Sequence, residues 1–366
     1  MGDRGPILLA AGGTGGHLFP AESLAIALRA RGLRVELATD SRALKYGADF
    51  PADAIHAIPA ATPSGGSAFG KLKAGLTLAR GVWVARGVIK RVKPSAVVGF
   101  GGYPTVPPLL AAQQAGLVTI IHEQNAVMGR ANRFLSARAT AIATGFPRLA
   151  GVAPAIAAKA THIGNPVRPA VIEAARAPYA EPADGPIEIL VTGGSQGARV
   201  MSDVAPAAIE LLAPAARARL RVTQQARPED LQRVRDVYAR LGVPATVESF
   251  FKDLPARMAA AHLVVGRAGA STVSELAVIG RDSILVPLPG ALDQDQAANA
   301  AILGAVGAAT VIPQADFTPQ RLAEEIGQRL DNPDAMRYAA AAARALGVPD
   351  AAARLAEFVV RVSNAL

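Results

Sequence analysis

Ile7-Leu8-Leu9-Ala10-Ala11-Gly12-Gly13-Thr14-Gly15-Gly16 and Ile189-Leu190-Val191-Thr192-Gly193-Gly194-Ser195-Gln196-Gly197-Ala198 follow one pattern. Each is a short apolar run, then clustered glycines, then a helical periodicity, and their separation is close to half of the 366 residues. An apolar run of this length that meets glycine reads as a buried parallel strand feeding a helix through a tight loop. Outward from these two stretches, strand-like runs recur at 34–39, 54–58, 96–99, 118–121 and 139–143 in the first half. The second half repeats the rhythm at 220–224, 245–249, 263–266, 283–286 and 309–312, each run followed by a helical pattern or a glycine turn. Strands alternating with helices predict an α/β protein of two Rossmann-like domains facing across a cleft. The expected division is residues 1–166, residues 167–346, and a last helix within 347–366 that returns to the first domain. Pro166 and Pro169 stiffen the joint between the halves.

Composition narrows the function. Apolar residues at 51% and charged residues at 18% fit two filled cores and exclude a disordered or fibrous chain. No cysteine is present, so disulfides and thiolate metal sites are out, as suits a reducing cytoplasm. The opening apolar run is too short for a signal peptide, and no run of about 18 apolar residues suggests a membrane span. The net charge is +9, and it is unevenly placed. Residues 54–122 hold no Asp or Glu but carry Lys71, Lys73, Arg80, Arg86, Lys90, Arg91 and Lys93. Aromatics are too few among them to stack on bases, so nucleic acid is disfavoured against an anionic membrane surface. Phe69, Leu72, Leu76 and Trp83 recur at helical spacing beside Lys71, Lys73 and Arg80. That is the pattern of a helix lying in an interface, while Leu78, Val82, Ala85 and Ile89 form a second stripe suited to the core. A plain core helix would explain the stripe but not the missing acids.

Four glycine loops, at 12–16, 99–102, 193–197 and 266–269, each end a strand. Such loops lead into helix N-termini, whose unpaired N–H groups suit phosphate. The G-x-G-x-x-G of dinucleotide enzymes fails at the first loop, where Leu18 takes the third glycine's place, and it fails again at Gly99 and Gly193. No G-x-x-x-x-G-K-[ST] occurs.

The motifs at 12–20 (GGTGGHLFP), 99–104 (GFGGYP), 122–125 (HEQN), 164–168 (GNPVR), 193–199 (GGSQGAR) and 269–275 (GASTVSE) together resemble the MurG family. These are the UDP-N-acetylglucosamine:undecaprenyl-diphospho-muramoyl-pentapeptide N-acetylglucosaminyltransferases of peptidoglycan synthesis, with a GT-B fold. The resemblance runs from residue 7 to about 300. It implies that the second domain holds the UDP-sugar. Ser195 and the helix start Ala270, Ser271, Thr272, Val273 and Ser274 would meet the diphosphate, and Glu275 the ribose hydroxyls. Read bare, Thr272-x-x-Glu275 is equally a helix capping box. Arg168 matches a nucleotide contact or is a surface arginine. Phe251 matches a backbone contact to uracil or is core, as a Phe250-Phe251 pair often is. Gln296 and Asn299 would hold the sugar hydroxyls or belong to a solvated helix start.

In the first domain, Gly13, Gly101, Gly102 and Tyr103 would take the acceptor diphosphate, and Thr14, Gly15 and Gly16 would reach the donor. His17, at a helix start, is a general base or a polar cap. Asn125 matches a position near the transferred sugar, with Glu123 and His122 as supports. The resemblance implies inverting transfer to the C4 hydroxyl of a lipid-linked muramoyl-peptide without cofactor or metal. The one Asp-x-Asp, at Asp293 and Asp295, opens a helix rather than ending a strand. The partners implied are both substrates, an anionic membrane on the cytoplasmic face and other cell-wall synthesis proteins. A UDP-N-acetylglucosamine 2-epimerase-like enzyme and a non-catalytic sugar-nucleotide sensor are the competing readings.

Overall fold

A computed structural model describes residues 5–12, 15–41, 50–61, 68–180, 185–194, 197–290 and 295–365, without the side chains of Ala68, Phe69 and Lys71. Gly13, Thr14 and Ser195, singled out above, lie outside these residues, as do Gln196 and Asp293. The chain forms two compact units, Met1–Arg168 with Pro349–Leu366, and Pro169–Val348.

In the first unit the strands are β1 (Ile7–Ala10), β2 (Val35–Thr39), β3 (Ala54–Ala57), β4 (Ala96–Gly99), β5 (Thr119–Glu123), β6 (Ala141–Thr144) and β7 (Ala160–His162). They pair in parallel in the order β3-β2-β1-β4-β5-β6-β7. The helices between them are α1 (Gly15–Arg29), α2 (Ala68–Val92), α3 (Val106–Gln114), α4 (Arg130–Ser136) and the short α5 (Pro154–Ala157). β1, β4 and β6 are buried along their whole length because helices cover both faces, which is why they read as unbroken apolar runs. β7 was invisible in the sequence: its three residues are part-exposed at the sheet edge and carry no apolar run.

The second unit repeats the order. Its strands are β8 (Ile187–Thr192), β9 (Leu220–Gln225), β10 (Ala245–Glu248), β11 (Leu263–Gly266), β12 (Asp282–Leu285) and β13 (Ala309–Val311), parallel as β10-β9-β8-β11-β12-β13. The helices are α6 (Pro169–Ala174), α7 (Arg199–Leu211), α8 (Pro214–Ala218), α9 (Leu231–Leu241), α10 (Leu254–Ala260), α11 (Ala270–Ile279), α12 (Asp295–Gly304), α13 (Pro319–Asp331) and α14 (Pro333–Ala345). A buried ion network stands inside this unit: Arg329 pairs with Asp282 at 2.7 Å and with Glu325 at 2.8 Å, tying β12 to α13.

The last helix, α15 (Ala351–Asn364), belongs to the first unit. Leu355, Ala356, Phe358 and Val359 join the core that Leu24, Leu28, Leu37 and Val98 form. Burying those side chains is worth roughly 1.5–3 kcal/mol for each large one, enough to hold a 14-residue helix in place.

Candidate active site

In each unit the strand order reverses at one place, and a crevice opens there at the carboxyl ends of the strands. In the first unit this is between β1 and β4; in the second, between β8 and β11. All four glycine loops lie at these two switch points.

In the first unit, β1 ends at Ala10 and α1 starts at Gly15. A side chain at Gly12 would meet Asp40 Oδ1 at 2.9 Å and Pro104 at 3.0 Å, so only glycine lets this loop pass. Gly101 and Gly102 follow β4 with φ of +83° and +72°, in the left-handed region that glycine tolerates. Tyr103 opens a short 3-10 turn, Tyr103–Thr105, whose Thr105 hydroxyl donates to the Gly101 carbonyl at 2.6 Å. His17, in the first turn of α1, lies against this loop: a Cβ on Gly102 would sit 3.3 Å from its Nε2. Its Nδ1 is 2.9 Å from Gln124 Oε1, so the ring is tied to the end of β5 rather than capping its own helix. Burial lowers its pKa, against hydrogen bonds to Gln124 and the Phe100 carbonyl, which raise it. The net result is an imidazole that stays neutral near pH 7.

Glu123 ends β5 and is buried. It accepts from the Asn125 backbone at 3.0 Å, Asn125 Nδ2 at 3.4 Å, the Gly129 backbone at 3.0 Å and Asn132 Nδ2 at 2.8 Å. Burial pushes its carboxyl up while these donors pull it back. The loop that carries Asn125 is therefore folded around one carboxylate. His122 is wholly buried, its Nε2 3.1 Å from the Gly164 carbonyl, and burial takes its pKa down to about 4. It is a structural neutral imidazole. Arg168 stays within the first unit, its guanidinium 4.9 Å over the Phe19 ring.

In the second unit, Gly193 could not carry a Cβ, which would fall 2.1 Å from the Ala198 nitrogen. Gln225 Oε1 accepts from the Gly193 backbone at 3.2 Å and from the Thr192 hydroxyl at 3.1 Å, holding the loop against β9. After β11 the chain passes Arg267, which bonds the Val286 and Pro287 carbonyls and Gln314, and enters α11. The α11 N-cap is Gly269, with no side-chain cap and no acid in the first turn. Thr272 therefore lies inside the first turn and Glu275 a turn further on, so the capping-box reading fails. What remains is an N-terminus whose free N–H groups and dipole are open to an anion, with Ala270, Ser271 and Thr272 part-exposed around it. Val273, Ser274 and Glu275 are buried behind them.

Gln296 and Asn299 are not a solvated helix start. Gln296 Oε1 accepts from the Ala268 and Leu288 backbones at 3.3 and 3.0 Å. Asn299 is fully buried and donates to the Ala268 carbonyl at 3.2 Å. Both brace the approach to α11, and among the described residues the Gln296 side chain is held through its amide oxygen. The aromatic pair splits: Phe251 is buried under Arg257, while Phe250 is 64% exposed. Gln124, Asn132, Gln225 and Arg267 were missed in the sequence, since nothing in local spacing says which polar residue crosses to a neighbouring loop.

Residues 7–144 match the glycosyltransferase family 28 N-terminal domain, and residues 188–355 match the family 28 C-terminal domain. A protein of Methylobacterium sp. (strain 4-46) is 60% identical over 98% of this chain and 97% of its own length. It is described as a UDP-N-acetylglucosamine--N-acetylmuramyl-(pentapeptide) pyrophosphoryl-undecaprenol N-acetylglucosamine transferase. The chain belongs to the MurG family. The crystal structure of Acinetobacter baumannii MurG superposes with a TM-score of 0.79 at 29% identity, covering 98% of this chain and all of that one. The fold is thus that of the MurG glycosyltransferases, two Rossmann-like domains of GT-B type. A UDP-GlcNAc 2-epimerase from Neisseria meningitidis shares the fold at a TM-score of 0.65 and 12% identity, over 98% of this chain and all of that one.

Proposed function

We propose that this MurG-family chain transfers N-acetylglucosamine from UDP-N-acetylglucosamine to the C4 hydroxyl of an undecaprenyl-diphosphate-linked muramoyl-peptide, with inversion. The observation that carries this reading is the 60% identity, over nearly the full length of both chains, to a relative whose name states that transfer. The acceptor hydroxyl attacks the anomeric carbon as the bond to the UDP oxygen breaks. Its proton passes to the His17 imidazole, whose neutral state at pH 7 suits a general base. The leaving diphosphate takes the bonding pair and is met by the uncapped α11 N-terminus at Ala270–Thr272, a preorganised positive dipole end. Glu275 would accept from the ribose, Gln296 would donate from its amide to the sugar, and Asn125 would be aimed at the sugar by Glu123. Gly101, Gly102 and Tyr103 would carry the lipid diphosphate.

The acceptor is a lipid, and α2 gives the reading a place at the bilayer. Leu72, Leu76 and Trp83 are 62%, 65% and 73% exposed on one face of α2, with Lys73, Arg80 and Arg86 exposed beside them. Ala85 and Ile89 are buried on the opposite face. No helix of the described residues is long and apolar enough to cross a membrane. The exposed stripe would rest in an anionic interface, peripherally, on the cytoplasmic side.

The test supplies labelled UDP-N-acetylglucosamine with and without the lipid-linked muramoyl-peptide. Label reaching the lipid, and only when the acceptor is present, is expected. Label in a free epimer, or no turnover, overturns the reading. For the membrane face, Trp83→Glu is expected to cut binding to anionic vesicles about tenfold, the loss of one buried aromatic. Unchanged sedimentation would exclude this stripe as the contact.

A further inference from the structure

We infer that Gln124 is a positioning residue that fixes His17 in the tautomer bearing its proton on Nδ1, so that Nε2 is the nitrogen presented to the acceptor hydroxyl. This rests on the proposed role of His17 as base, and it assigns which atom does the work.

The argument is one of donors and acceptors. The Gln124 side chain is buried between two groups, His17 Nδ1 at 2.9 Å and the Phe100 carbonyl at 2.9 Å. A backbone carbonyl only accepts, so the end of the amide facing Phe100 must be the NH2. The amide oxygen then faces His17, and it too only accepts. Nδ1 must therefore carry the hydrogen, and in a neutral imidazole Nε2 is left with the lone pair. Nδ1 is held by the Gln124 amide oxygen, while Nε2 lies on the Gly102 side of the ring.

The backbone that carries this amide is held as well. Gln124 directly follows β5, and its own carbonyl accepts from Asn165 Nδ2 at 2.9 Å. Asn165 is buried and occupies the space a Cβ on Gly145 would take, with its Oδ1 only 2.1 Å from that position. Gly145 thus makes room for Asn165, Asn165 fixes the Gln124 backbone, and Gln124 fixes the imidazole. On the other edge of the ring, Gly102 brings backbone but no side chain against Nε2: an added Cβ would stand 3.3 Å from it. One edge of the imidazole is locked, and the other faces a glycine that adds no side chain to it.

The test reads the tautomer directly, by long-range proton–nitrogen correlation on the full-length protein labelled with 15N-histidine. The chain has five histidines, and the His17 signal is the one missing in His17→Asn. In the unsubstituted protein His17 is expected as the Nδ1–H tautomer. Gln124→Leu, which removes the acceptor, is expected to move it towards Nε2–H. Gln124→Glu, which keeps an acceptor oxygen at that place, is expected to preserve Nδ1–H. In turnover, Gln124→Leu should lower kcat by about 10- to 100-fold with donor KM little changed, short of the roughly 10²–10⁴-fold of a lost general base. Gln124→Glu should recover part of that loss.

An Nε2–H tautomer in the unsubstituted protein overturns the inference without any variant, so misfolding of Gln124→Leu cannot shelter it. An unchanged Nδ1–H tautomer in folded Gln124→Leu overturns it equally. A tautomer that moves while kcat does not supports the positioning role and sinks the base role of His17, so the two readings fail separately.

Discussion

The two switch points share one strand order and differ in what occupies their helix starts. At the first, between β1 and β4, the chain brings two polar groups of its own: His17 with Gln124 at 2.9 Å, and Glu123 with Asn125 and Asn132 at 2.8 to 3.4 Å. At the second, between β8 and β11, the N-terminus of α11 is left without a side-chain cap. Topology alone therefore fixes where ligands can bind and not what is done to them. A crevice filled with a braced imidazole is equipped to move a proton. A crevice whose helix end is bare is equipped to hold an anion. In the proposed reaction, the same scaffold, used twice, would supply a base half and a leaving-group half.

Several substitutions would break or sharpen that contrast. The largest effect is expected from His17→Asn, which keeps a polar side chain but removes the proposed base. It should lower kcat by roughly 10²–10⁴-fold and leave donor binding nearly intact. A small loss in steady-state kinetics would mean that the first switch point is not the base half.

Next comes the pH dependence of stability. His122 is held near pKa 4 in the folded chain against an ordinary 6.5, because burial disfavours its charged form. The unfolded chain takes up a proton that the folded chain refuses, so stability falls as pH drops from 6.5 towards about 4 and is unaffected above that window. The ceiling is roughly 3 kcal/mol, at 1.36 kcal/mol per pH unit. Urea titrations across this range should show the slope, and His122→Phe should flatten it. An equal slope in both proteins would place the titrating group elsewhere.

A smaller and more diagnostic effect is expected at the second switch point. Thr272→Asp puts a carboxylate in the bare first turn of α11, which should raise stability by about 0.3–1 kcal/mol through the helix dipole. The same charge should repel the diphosphate and raise the donor KM by about tenfold, a 1.4 kcal/mol effect. Calorimetry and kinetics moving in opposite directions would mark this end as an anion site; a donor KM that stays put would remove it from that role. A separate change is expected from Gln225→Leu. It frees the Gly193 loop from β9 and should cost about 1–3 kcal/mol of stability for the two donors left behind. Donor affinity should weaken while the His17 tautomer is untouched, because Gln225 and Gln124 serve different crevices.

Much of this was legible in the residues. The alternation of apolar runs with helical patterns fixed the α/β class, because a parallel strand buried on both faces must be apolar throughout. The glycine clusters marked the loops where the backbone turns left-handed or passes too close for a Cβ, as at Gly101, Gly102 and Gly193. The two faces of α2 were also readable, since Leu72, Leu76 and Trp83 are exposed and Ala85 and Ile89 buried as their spacing implied. Local grammar misled at Thr272-x-x-Glu275, where a good capping box lies within a helix that starts two residues earlier. It misled again at α12, where polar residues that look solvated turn inward to Ala268.

The sequence by itself determined two repeated α/β halves with glycine-rich loops at their strand ends, because periodicity and glycine act over a few residues. Only the tertiary structure decided that His17, Phe100, Gln124 and Asn165 meet, that the imidazole hands its Nδ1 inward, and that α11 stays uncapped. Those contacts join residues up to 107 positions apart in a single hydrogen bond. No local pattern encodes which partner a buried polar group will find; it is chosen when the sheet closes and every enclosed donor and acceptor must be satisfied.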